Sequence, residues 1–174
     1  MKFISISFIF LVLHCTQANV PSHQVRVGLK WKSKNFPLKM QVYLPDPKKE
    51  IVLWETGTVK SKNDLRIIKD SELTDFLISP EEKKDLVLVS ENKTDLEVIF
   101  FAAPHHVSPE ENALGFTFKC LCVNHYFRVL PGEIWYRNIQ LKLDKNFIGD
   151  KIQFEHSLIG IDPERFREMS DEEN

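Results

Sequence analysis

Period-2 hydrophobicity, frequent turn chemistry and few helical signals predict an all-β chain, folded as an antiparallel β-sandwich with one or two short helical turns. Across residues 25–31 the apolar side chains are Val25, Val27, Leu29 and Trp31, with Arg26 and Lys30 between them. That alternation belongs to a strand with one face in the core. Leu38, Met40, Val42 and Leu44 repeat it, and Pro45-Asp46-Pro47 ends the run, because proline cannot donate to a ladder and restricts its predecessor. Further strands are expected at 51–54, 86–89, 96–102, 116–123, 134–143 and 151–159, with turns at Asn92, Pro131-Gly132 and Asn146 to Gly149. Helical signals are confined to two turns at 71–77, a capped turn at Ser79-Pro80-Glu81-Glu82, and a short helix begun by Asp162-Pro163-Glu164. One β-sandwich domain over 24–161 followed by a polar tail over 162–174 accounts for this pattern. Trp31, Trp54 and Trp135, with thirteen Phe, supply core mass, and Met40 falls on the apolar phase of its strand.

A chain of 174 residues can bury a core without a disulfide mesh, which its three cysteines could not build. Its 23 Lys+Arg stand against 25 Asp+Glu, so it lacks the basic excess of a nucleic-acid binder. No Ser-His-carboxylate set, phosphate-cradling glycine loop or His-Glu-x-x-His is present, and no enzymatic activity is expected.

The apolar run 3–13 follows Lys2 and is too short to cross a bilayer, but it has the length of a signal-peptide core. Residues 1–18 are therefore read as a signal peptide or lipoprotein signal. Cleavage after Ala18, with small residues at Thr16 and Ala18, competes with cleavage before Cys15, which would make Cys15 a lipid-attachment site. Either route exports the chain to an oxidising compartment, the periplasmic or cell-envelope face, with a lipid anchor to the membrane in the second case. Asn92-Lys93-Thr94 matches a glycosylation sequon, a short pattern that arises often by chance.

The densest chemistry is in Phe116-Thr-Phe-Lys-Cys120-Leu-Cys122-Val-Asn-His125. In an extended strand, residues two apart share a face, so both sulfurs would aim at one place. Their Cα atoms would be about 6.6–6.8 Å apart, the far edge for an unstrained disulfide. The pair suits a soft ion instead, and two thiolates select Cu(I). A structural zinc site would need four ligands. His125 and His106 are the weaker candidates to complete the site; His105 and His106, being consecutive, cannot both face it on a strand. His156 shares its face with Phe154 and Leu158 and reads as core or edge packing, while His23 is assigned nothing. The plain alternative is that both cysteines are small hydrophobes on a strand. An exported thiol pair is, however, open to oxidation unless a metal or reductant holds it.

Val107-Ser-Pro109-Glu110, Phe116, Lys119, Cys120-Leu-Cys122 and Leu130-Pro-Gly-Glu133 resemble, in that order, the pattern of the CtaG-type copper chaperones of cytochrome c oxidase assembly. The resemblance covers residues 86–160. It implies an immunoglobulin-like β-sandwich, Cys120 and Cys122 as Cu(I) thiolates, and delivery of copper to the haem-copper centre of an oxidase subunit. It also implies a homodimer with copper at the contact, and a third cysteine near the membrane anchor, a place that Cys15 occupies here. Cys-Leu-Cys-Val replaces the family's Cys-Phe-Cys-Phe, and Ile-Trp-Tyr-Arg-Asn-Ile-Gln replaces an apolar segment after the Gly-Glu turn. Two functions follow as expectations: an exported Cu(I)-binding assembly factor, or a metal-free immunoglobulin-like envelope lipoprotein acting as an interaction or scaffold module. A thiol redox role would lack the Cys-x-x-Cys and βαβ context it usually has.

Overall fold

The computed structural model describes residues 23–122 and 125–171, so the expected signal at 1–18 and its Cys15 lie outside the described residues. Eleven strands occur among them: β1 (Val25–Lys34), β2 (Met40–Tyr43), β3 (Thr56–Val59), β4 (Asp75–Ile78), β5 (Lys83–Glu91), β6 (Val98–Ala102), β7 (His106–Ser108), β8 (Phe116–Lys119), β9 (Phe127–Val129), β10 (Ile134–Leu143) and β11 (Lys151–Ile161). One sheet has the order β4-β1-β11-β6-β9, with β7 also on β11; the other has β2-β5-β10-β3, with β8 also on β10. The chain is the β-sandwich its sequence predicts. The pairing is antiparallel except between β1 and β11, which run parallel from Arg26–Lys151 to Lys34–Ile159. The first and last strands thus close side by side. Gly160 sits where any side chain would run into the Asn35 carbonyl, so this close approach requires glycine.

The core lies between the sheets and is dominated by Phe100, Trp135, Phe154, Leu86, Leu88, Ile139, Leu141 and Ile152. Phe100 packs edge-on against Trp135 with ring centroids 5.3 Å apart, a geometry that aromatic quadrupoles favour. Truncating either ring to alanine should cost about 3–5 kcal/mol. β5 is buried on both faces, because Val87 and Val89 join Tyr43, Leu65, Ile67 and Ile134 in a second cluster outside the sheet.

Several local expectations are corrected. Residues 71–77 form no helix: Phe76 and Ile78 point inward and Asp75 and Leu77 outward, and this alternation pairs as β4 with the free edge of β1. Residues 51–54 form no strand; the pairing with β10 begins later, at Thr56. Trp54 is 50% exposed, outside the core, with the Lys119 ammonium 5.7 Å from its ring. Asn92 is fully buried and donates from its side chain to the carbonyls of Leu96 and Val129. It therefore ties a turn together and offers no free amide for a glycan. Within the expected tail, Pro163–Asp171 is the helix α1, capped by Asp162, whose carboxylate accepts from the N–H groups of Glu164 and Arg165. No helix among the described residues is long and apolar enough to cross a membrane.

Candidate metal centre

The centre is built where each sheet breaks its regular pairing. β8 and β3 share one edge of β10: β8 pairs with residues Gln140 to Leu143, and β3 with Ile134 to Arg137. After Lys119 the chain meets a stretch of β10 already engaged by residues 54 and 55, since Trp54 N–H donates to the Asn138 carbonyl and Asn138 N–H to that of Glu55. It therefore leaves the sheet. The expected strand at 116–123 stops at Lys119, and a bend at Leu121 turns the chain inward. Leu121 is fully buried in the core, and the Cys122 N–H donates to Cys120 Sγ at 3.3 Å. The two sulfurs converge through this bend and not through the pleat of a strand.

The opposite sheet supplies the histidines. β6 pairs Ala102 with Leu158, and β7 pairs His106 with Glu155. Between these pairs, residues 103–105 face only residues 156 and 157 of β11, a one-residue bulge. A bulge re-aims the side chains that follow it. Here it turns His105 inward and leaves His106 exposed beside Glu155. His156, on the inward phase of β11, is fully buried.

His105, Cys120, Cys122 and His156 each offer one ligand atom, and these four atoms all lie within 4.8 Å of one another. His105 Nδ1 is 3.6 Å from Cys120 Sγ and 3.5 Å from Cys122 Sγ. Neither ring nitrogen of His156 has a hydrogen-bond partner, although buried polar atoms are ordinarily satisfied. Cys120 and Cys122 form no disulfide. Phe116, Phe118 and Phe154 surround His105 at ring-centroid distances of 5.4–6.2 Å, and Trp31 lies 5.0 Å from His156. The result is an aromatic wall around the two imidazoles.

Of the histidines singled out from sequence, neither His106 nor His125 belongs to this set. His125 is exposed, stacked on Tyr126. It lines a groove of about 440 Å³ together with Phe101, Ala103, Cys122, Tyr126 and Ile161. Cys122 thus joins the buried centre to this open groove. The two histidines that do converge were legible only in part: Pro104 interrupting a strand pattern signals a bulge, and His156 lies on the inward phase of its own strand.

Charge completes the centre. The Cys120 thiol is pushed well down, chiefly by a hydrogen bond from the Cys122 thiol and then by the adjacent rings of His105 and His156, against the opposing effect of burial. The Cys122 thiol is pushed up because it holds that shared proton, because it is buried, and because its neighbour is negative. The buried Arg137 donates from Nε to the Cys120 carbonyl at 3.4 Å and from an η nitrogen to Thr56 Oγ1 at 2.7 Å. Burial lowers its pKa, and attraction to the two cysteines opposes that shift. Arg137 falls within the Ile-Trp-Tyr-Arg-Asn-Ile-Gln segment after the Gly-Glu turn.

No curated protein matches the chain. The profile of a family described as a domain of unknown function, DUF8709, matches residues 25–161, the span from the first residue of β1 to the last of β11. The chain belongs to that family.

Proposed function

We propose that the protein is an exported copper carrier, holding one Cu(I) on Cys120 and Cys122 with His105 and His156 as the nitrogen donors. The observation that carries this reading is the convergence of two sulfurs and two imidazoles within 4.8 Å, one imidazole being fully buried with both nitrogens unpartnered. A metal would satisfy such a nitrogen, and soft thiolates favour Cu(I). Charge supports the same ion. Cu(I) with two thiolates carries a single negative charge, and the buried Arg137, held on the Cys120 carbonyl and attracted to both cysteines, offers the opposite charge nearby, whereas Zn(II) with two thiolates is neutral.

Release begins at Cys122, the sulfur that reaches the groove. An incoming soft ligand would add there, while the ion remains held by Cys120 and the histidines, and ligand exchange would then move it outward. The resemblance to CtaG-type chaperones suggests the recipient, the haem-copper centre of a cytochrome c oxidase. The chain acts in this reading as a carrier and not as an enzyme. Tight Zn(II) binding is the second reading, favoured by the tetrahedral capacity of an S2N2 set.

Anaerobic competition titration of the purified chain with Cu(I) and with Zn(II) tests the assignment. One equivalent of Cu(I), bound in preference to Zn(II) and lost in Cys120→Ser/Cys122→Ser, is expected. Unchanged Cu(I) binding by that double variant would remove the site, and preferential Zn(II) retention would favour a structural centre. Absence of any thiol-dependent binding would favour a metal-free scaffold module.

A further inference from the structure

At the end of the sandwich where β8 and β11 begin, two large apolar side chains stand in solvent: Leu114 is 85% exposed and Ile148 92%. They belong to different loops that are fastened together. Asp144 N–H donates to the Gly115 carbonyl, and the Asn112 side-chain amide donates to the Lys151 carbonyl. Phe147 is buried against Gly115, so the next residue, Ile148, is thrown outward from a pinned turn. The two apolar tips are therefore presented by an ordered frame.

The entry point of the chain lies at the same end. His23 Nε2 is 2.9 Å from the Gly149 carbonyl, directly beside Ile148. The long apolar run at 3–13 and Cys15 precede it in sequence. Residues 14–23 can span at most about 30 Å even when fully extended. If an acyl chain on Cys15 is held in a bilayer, this end of the domain cannot leave its neighbourhood.

We infer that Leu114 and Ile148 rest in the surface of the lipid bilayer to which the amino-terminal segment holds the chain. The contact is apolar rather than electrostatic, since the two loops carry Glu110, Glu111, Asp144 and Asp150 against Lys145 and Lys151. It needs the tether, because two side chains alone bind a membrane weakly and a short linker raises their effective concentration. The orientation has a consequence for access. β8 and β11 run away from this end, which sets Cys120 about 13 Å beyond the start of β8, at the rise of an extended chain. The groove with Ile161 lies farther still along β11, towards the end of the strand opposite Ile148. This orientation does not depend on the metal assignment.

The test uses the full-length chain in phosphatidylcholine vesicles, with Ile148→Trp, Leu114→Trp and, at the opposite end, the 73% exposed Leu96→Trp. All three positions are exposed, so folding is preserved, and the three native tryptophans give a common background. In vesicles of brominated phosphatidylcholine the added emission at positions 148 and 114 is expected to fall by about half or more, and that at 96 to remain unchanged. Equal quenching at all three positions, no quenching at 148, or failure of the chain to float with vesicles would overturn the inference. Emission at 148 that changes with protein concentration but not with brominated lipid would assign the surface to a second copy of the chain and overturn it equally.

Discussion

His105 and His156 face one another across the mismatch between β6–β7 and β11, with ring centroids 5.3 Å apart. One belongs to the bulge and the other to the regular strand opposite it. Because residues 103–105 oppose two residues of β11, the inward phase passes from Ala102 to His105 instead of to Pro104 and His106.

His105→Ala removes the imidazole that the bulge turns inward. We expect a folded protein whose Cu(I) affinity falls about 10- to 100-fold. Deleting Pro104 would place His105 directly opposite the inward-facing His156, and should leave its ring facing the centre. Wild-type affinity in His105→Ala, measured by competition with a chromophoric Cu(I) chelator, would show that His105 is not a ligand.

His156→Leu separates a ligand from a packing histidine. Replacing a buried ring that has two unpartnered nitrogens should stabilise the metal-free protein by about 1 kcal/mol. Copper affinity should fall in the same variant. Denaturant unfolding without metal and titration with metal read the two effects, and a destabilised variant with intact affinity would make His156 a core residue only.

Arg137→Met removes the buried cation beside the cysteines. Cu(I) affinity should drop about 10- to 100-fold while Zn(II) affinity holds or rises, because only the copper thiolate complex needs the balancing charge. Parallel competition titrations with the two ions check this, and an equal loss for both would mean that Arg137 acts through position alone.

Asn92→Ala tests the fold rather than the centre. Two carbonyl acceptors, of Leu96 and Val129, lose their donor at a buried site. The cost should be about 1–3 kcal/mol, read as a lower midpoint in urea unfolding with unchanged copper binding. A neutral effect would remove Asn92 as the clasp of this turn.

The fold was readable in the sequence wherever one face of a strand meets the core. Val25, Val27 and Leu29 mark β1, and Ile139, Leu141 and Leu143 mark β10, by alternation alone. β4 was not, because Phe76 and Ile78 provide only two inward residues, and the deciding partner is the edge of β1, far away in sequence. The same distinction governs the centre. Cys120 and Cys122 are neighbours in the chain, so their shared position is visible at once. The choice of His105 over His106 depends on where a bulge falls against β11, and the approach of His156 depends on which sheet closes over it. Both are properties of pairing between distant segments.

X-ray absorption at the copper edge of the Cu(I)-loaded protein tests the four-ligand centre most directly. Two sulfur and two nitrogen scatterers are predicted around copper, with one sulfur lost in Cys122→Ser and one nitrogen lost in His156→Leu. A shell of nitrogen and oxygen alone, or a spectrum that none of these substitutions alters, would contradict the assignment of copper to Cys120, Cys122, His105 and His156.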